Sequence, residues 1–241
     1  TTHRLHTVDH LRFIRDVEYP SDLRQARTRE VELTVLASRG PEEEALAAQR
    51  LSGMQNRRKG TGSKLRDLQD PRIFALKVAE EERLREAVAA DPGLAERVGD
   101  PWTRVTEALE TYRGIFDEHE LLEGGGLRRG FGGSDLFRFA RIIVRLVEER
   151  EKPDAERLAE YRESNLAEVE RYLYSSAPVV PARERDVLES RTALAAEVLG
   201  GEHPAVARLL GGMRPRDRAH ALVEGTRLAD VEARRALVAT I

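Results

Sequence analysis

Asp100-Pro101-Trp102-Thr103-Arg104-Val105-Thr106-Glu107-Ala108-Leu109-Glu110-Thr111-Tyr112-Arg113-Gly114-Ile115-Phe116 carries in one stretch the signals that decide the fold. A carboxylate suited to capping precedes a proline, which the first helical turn tolerates because the missing N–H has no partner to lose there. Beyond it, Val105, Leu109, Tyr112 and Phe116 stand at i, i+4, i+7 and i+11, the spacing of one helical face. The same punctuation recurs at Asp70-Pro71 and Asp91-Pro92, and Pro20, Pro41, Pro153, Pro204 and Pro215 each open a helix-like stretch. Leu158, Tyr161, Val169 and Tyr172 form a second stripe, interrupted by Asn165. Residues 134–150 are apolar apart from a narrow stripe of Arg138, Arg141 and Arg145, which predicts a largely buried helix.

Strand patterns are nearly absent. Val179-Val180 is bracketed by Pro178 and Pro181, so residues 177–181 are expected to be an extended connector. Residues 122–133, with Gly124-Gly125-Gly126 and Gly130-Phe131-Gly132-Gly133, are expected to be a flexible loop. The expected fold is all-α, a multi-helix antiparallel bundle forming one helical domain over 1–241, with a possible subdivision near the glycine-rich loop at 123–133.

Bulk properties narrow the function. The 241 residues are 40% hydrophobic and 34% charged, with a net charge of −3. Phosphate neutralisation needs a basic domain or stripe, so no nucleic-acid partner is expected, although Arg outnumbers Lys. The chain has no cysteine, which excludes disulfides, thiolate metal sites and cysteine nucleophiles. No apolar run is long enough to span a bilayer, so no membrane partner is expected. Thr1-Thr2-His3-Arg4 has no signal-peptide character and reads as the start of a mature, trimmed or excised chain.

Several constellations resemble active-site motifs and fall short of them. Gly60-Thr61-Gly62-Ser63-Lys64 lacks both the spacing and the preceding strand of a phosphate loop, and is expected to be a helix-end turn. Ser134 after Gly133 and before Asp135 is expected to be a helix N-cap, since a nucleophile would need a positioned base. The histidines, His3, His6, His10, His119, His203 and His220, show no ligand spacing. His6 and His10 lie one turn apart without a completing carboxylate, so no metal and no cofactor are expected. Glu42-Glu43-Glu44 suits the first turn after Pro41. Arg57-Arg58-Lys59 is expected at a solvated helix end, and Arg138, Arg141 and Arg145 are expected to pair with neighbouring Glu side chains. On residue physics alone, Asn56 is a polar capping residue near a helix C-terminus.

The stretch Gly53-Met54-Gln55-Asn56-Arg57-Arg58-Lys59, followed by Gly62, Leu65, Leu68, Asp70-Pro71 and Lys77, resembles the helical domain of bacterial serine dipeptidyl aminopeptidases of the dipeptidyl-peptidase 7 and 11 type, serine peptidase family forty-six. Four further blocks are similar, in the same order: Thr1-Thr2-His3-Arg4, Asp100-Pro101-Trp102, residues 140–145 with Glu149 and Lys152-Pro153, and Gly225-Thr226-Arg227-Leu228-Ala229-Asp230. The resemblance implies a helical cap inserted between the halves of a chymotrypsin-like catalytic double β-barrel, which carries the catalytic His, Asp and Ser. None of those three has a matching position in this chain, so no catalytic residue is expected and the isolated chain is expected to be inactive.

By the same resemblance, Asn56 is a substrate-binding residue that holds the α-ammonium group of the peptide. The implied partners are peptide substrates with a free N-terminus and the catalytic domain of the same parent protein, with a possible homodimer. The implied location is periplasmic or secreted. Arg57-Arg58 departs from the smaller or aromatic residues expected beside that asparagine. The alternative is a stand-alone helical protein-interaction module without catalytic role.

Overall fold

A computed structural model describes residues 6–123 and 133–240 of the chain, and among these every regular element is helical. Residues 1–5, which include His3 and the opening Thr1-Thr2-His3-Arg4, lie outside the described residues, as does most of the glycine-rich segment, 124–132. The chain divides into two compact units, Thr1–Phe116 and Asp117–Ile241.

In the first unit, Thr7 caps α1 (Val8–Phe13) by accepting the His10 N–H at 3.1 Å. A π-helical turn, Ile14–Glu18, carries α1 straight into α2 (Tyr19–Ala37). Pro20 is the second residue of α2, which is entered from the π turn rather than from a loop. It sits inside a continuous rod, where the wider turn accommodates a ring that removes one helical hydrogen bond. The turn at 38–40 sends α3 (Pro41–Gln69) back along α2. Leu33, Leu36, Ala47 and Leu51 pack together beside this turn, and Leu11, Ile14, Tyr19, Leu65, Leu68 and Phe74 pack at the other end of α3.

Asp70 caps α4 (Pro71–Ala90), Asp91 caps α5 (Pro92–Val98), and Asp100 accepts the Thr103 N–H at 3.0 Å as α6 (Pro101–Glu118) begins. All three Asp-Pro pairs thus do what the sequence predicts. The α6 stripe is used as well. Tyr112 and Phe116 close a triangle of rings with Phe13, with centroids 5.4, 5.5 and 5.6 Å apart.

In the second unit, α7 (Asp135–Arg150) buries Leu136, Phe139, Ile142, Ile143 and Leu146. Three short 3₁₀ turns then occupy 154–165, before α8 (Leu166–Leu173). Pro153 opens these short turns rather than a long helix, and the stripe from Leu158 to Tyr172 breaks at Asn165, the residue before α8. The buried carboxylate of Glu149 accepts the Leu158 N–H at 2.7 Å, and Asp154 accepts the Glu163 N–H at 2.7 Å. Those side chains hold backbone groups that a continuous helix would have used. Residues 177–180 belong to no helix, Val180 is extended, and Pro181 is the first residue of α9 (Pro181–Leu199) rather than the end of the connector. The short helices α10 (Pro204–Leu210), α11 (Pro215–Glu224) and α12 (Val231–Ala239) complete the unit. Its core gathers Phe139, Ile142, Ile143, Leu146, Tyr161, Val169 and Leu173. Arg234 of α12 lies fully buried there, 3.9 Å over the Phe139 ring, donating to the carbonyls of Leu228 at 2.9 Å and Ser175 at 2.7 Å.

Candidate binding site on the third helix

Helix α3 runs unbroken through Gly53, Gly60 and Gly62. Gly60–Lys64 is therefore not a turn at a helix end. It lies inside a 29-residue helix whose N–H groups are spent on the helix itself, which leaves no phosphate cradle. Asn56 is likewise not a cap. It stands mid-helix and exposed, and its side chain makes no hydrogen bond to any described residue. Its carboxamide offers one acceptor oxygen and two donors to whatever lies above it.

Gly53 and Gly60, at i−3 and i+4, share the face of Asn56. A Cβ added at either glycine would meet nothing within 4 Å. Ser52 and Ser63 belong to the same exposed face. The result is a strip of small residues, flanked by the exposed Lys59 at i+3, from which the Asn56 carboxamide projects. The two neighbouring arginines are turned to α2. Arg57 reaches Asp22 at 3.2 Å, and Arg58 reaches Glu30 at 2.8 Å. They stand in the middle of α3 rather than at its end, still largely solvated, and each places its charge against a carboxylate. That pairing weakens the local field opposing a bound cation.

The other candidates resolve differently. Ser134 is the N-cap of α7, accepting from the Phe137 N–H at 3.0 Å. It is 1% exposed and donates to Glu184 at 2.6 Å. The Glu184 carboxylate, fully buried, also accepts the N–H groups of Leu136 at 3.1 Å and Asp135 at 3.2 Å, so the serine and its acceptor form a buried network that ties down the start of α7. Arg138 pairs with Asp135 at 2.8 Å, and Arg145 with Glu123 at 2.9 Å and Glu148 at 3.1 Å. Arg141 pairs with Glu123 through both its backbone carbonyl and its carboxylate. Glu42-Glu43-Glu44 lies in the first turn of α3.

His119, His203 and His220 lie near Glu120, Glu118 and Glu224. Among the described residues, no three metal-capable side chains gather. An open groove of about 580 Å³ lies between α9 and α11, lined by Glu189, Ala193, Arg214, Arg216, Asp217 and His220. Its Arg214 and Asp217 already satisfy each other at 2.8 Å.

Nothing in the sequence marks Glu184 or Arg234, and Glu149 stands out there only as part of a family-like block. Each is a charged residue in a helix-like stretch, and only the fold shows it buried. No curated protein matches the chain. The sequence model of Peptidase S46 matches residues 1–240. That match covers nearly every residue, and the described elements are helical as a helical domain requires: the chain belongs to the Peptidase S46 family.

Proposed function

We propose that the chain is the helical cap of a serine dipeptidyl aminopeptidase. In this reading it covers the active-site cleft of a catalytic domain in the same periplasmic or secreted parent protein. Asn56 accepts a hydrogen bond from the α-ammonium group of the peptide substrate, a group found only where the chain begins. Hydrolysis belongs to the catalytic domain.

The observation that carries the proposal is the free carboxamide of Asn56 between Gly53 and Gly60. Glycine inside a helix costs about 1 kcal/mol relative to alanine. Among the described residues nothing packs closely on either glycine, so a ligand lying on that face supplies the reason for leaving it bare. A cap must also seat on another body. Helix α4 buries none of its residues, and it exposes Ile73, Leu76 and Leu84 by 37, 61 and 56%.

Gly60→Leu in the intact parent enzyme tests the reading. Leucine favours the helix by about 0.5–1 kcal/mol, and the space above Gly60 is open, so the melting temperature should hold or rise. kcat/KM on free-N-terminus dipeptide substrates should fall at least about tenfold, mostly through KM. Unchanged activity with raised stability would mean that no substrate occupies this face.

A further inference from the structure

We propose that the groove between α9 and α11 binds a short free peptide by its two charged ends, the α-ammonium group at Glu189 and the α-carboxylate at Arg216. Beneath the groove the two helices are fixed by Leu188 and Ala219, both buried, with Leu222 and Val223 packed against them. One wall carries Glu189 and Ala193, a turn apart on α9, and the other carries Arg216 and His220, a turn apart on α11. Ala193 and Pro215 add apolar surface, and the volume of about 580 Å³ lies in the range of small-ligand sites.

The charged groups of this groove are of two kinds. Arg214 and Asp217 neutralise each other at 2.8 Å, and His220 stands 3.8 Å from Glu224. Glu189 and Arg216 have no such partner. Neither side chain makes a hydrogen bond or an ion pair with any described residue. They line a common space from opposite walls without meeting, since an ion pair would bring them within about 4 Å.

An unpaired anion and an unpaired cation in one groove suit a molecule that carries both charges. A simple anion is repelled by Glu189 and a simple cation by Arg216, whereas a zwitterion satisfies both. The carboxylate of Glu189 accepts from an ammonium, and the planar fork of Arg216 matches a carboxylate. An extended dipeptide holds its ammonium and carboxylate about 6 Å apart, long enough to bridge two groups that do not touch. Free dipeptides are also what the parent enzyme releases under the function proposed above. Binding in the groove rests on its own charges and does not depend on that function.

The test is a calorimetric titration of the full 241-residue chain with alanyl-leucine up to about 10 mM, the range in which so small a ligand binds. One saturable site is expected. N-acetyl-alanyl-leucine lacks the ammonium and alanyl-leucine amide lacks the carboxylate, so each should bind at least about tenfold more weakly. Glu189→Gln and Arg216→Gln should weaken the free dipeptide by a similar factor. Asn56→Ala should leave it unchanged, which separates this groove from the face of α3. Far-UV circular dichroism checks that the variants keep their helices, and the two blocked peptides decide without any substitution. No saturable binding, equal binding of the blocked peptides, or wild-type affinity in either groove variant would overturn the proposal.

Discussion

Ser134 and Glu184 show how much rests on single side chains. The serine caps α7, and the carboxylate gathers two backbone N–H groups and the serine hydroxyl in a fully buried place. Ser134→Ala should lower the unfolding free energy by about 1–2 kcal/mol, as for a lost N-cap. Glu184→Ala should cost more, about 3 kcal/mol or above, because several buried donors lose their acceptor together. Chemical denaturation of both variants checks this, and equal small losses would contradict it.

Titration gives a second prediction at this scale. The Lys152 ammonium and the Leu158 N–H hold the Glu149 carboxyl below the usual range, the Thr106 hydroxyl does so for Asp9, and Arg15 does so for Asp16. Lowered folded-state values contribute stability above the unfolded pKa and lose it as pH falls, so the melting temperature should decline below about pH 4. Burial pushes the Tyr161 phenol up to about 12. A raised folded-state value contributes fully below the unfolded pKa and is lost as pH rises, so stability should also fall between about pH 10 and 12. Thermal unfolding across pH measures both limbs, and Tyr161→Phe should flatten the alkaline one. An unchanged alkaline limb in that variant would sink the assignment. The Ser134 cap was legible from Gly133-Ser134-Asp135, because capping is local chemistry. Glu184, 50 residues away, was not.

The three glycines of α3 mark the limit of reading elements from local signals. Gly60-Thr61-Gly62 looks like punctuation, yet the helix continues because it is held along its length. Leu33, Leu36, Ala47 and Leu51 fix its start, Leu65 and Leu68 its end, and Arg57 and Arg58 its middle. Tertiary anchoring outweighs a propensity cost of about 1 kcal/mol per glycine. Because a Cβ at Gly53 or Gly60 meets nothing, alanine at either position should stabilise the chain by about 0.5–1 kcal/mol. Denaturant titration of the two variants checks this, and destabilisation would show that the face is not open. The Asp-Pro pairs succeeded as signals where the glycines failed, since Asp70, Asp91 and Asp100 each accept an N–H from their own first turn. Before the break at Asn165, helical spacing misled for the opposite reason. There the Glu149 and Asp154 carboxylates captured backbone donors, and no hydrophobic spacing records that.

On the scale of the whole molecule, helical class and family were both legible: proline-punctuated stripes gave the first, and five short blocks in sequence order the second. The cap role and the role of Asn56 proposed above rest on the family resemblance, since an exposed asparagine carries no local mark of a ligand. The structure adds why that position is available: a bare helical strip, with the adjacent arginines drawn to α2. The most direct measurement is kcat/KM for Asn56→Ala in the intact parent enzyme, on matched peptides with free and N-acetylated termini. A hydrogen bond to a charged group contributes roughly 1.5–3 kcal/mol, so cleavage of the free peptide should drop about ten- to a hundredfold. Residual cleavage of the acetylated peptide, which has no ammonium to hold, should change far less. Equal losses on both peptides, or no loss on either, would contradict the assignment of Asn56 to the substrate's N-terminus.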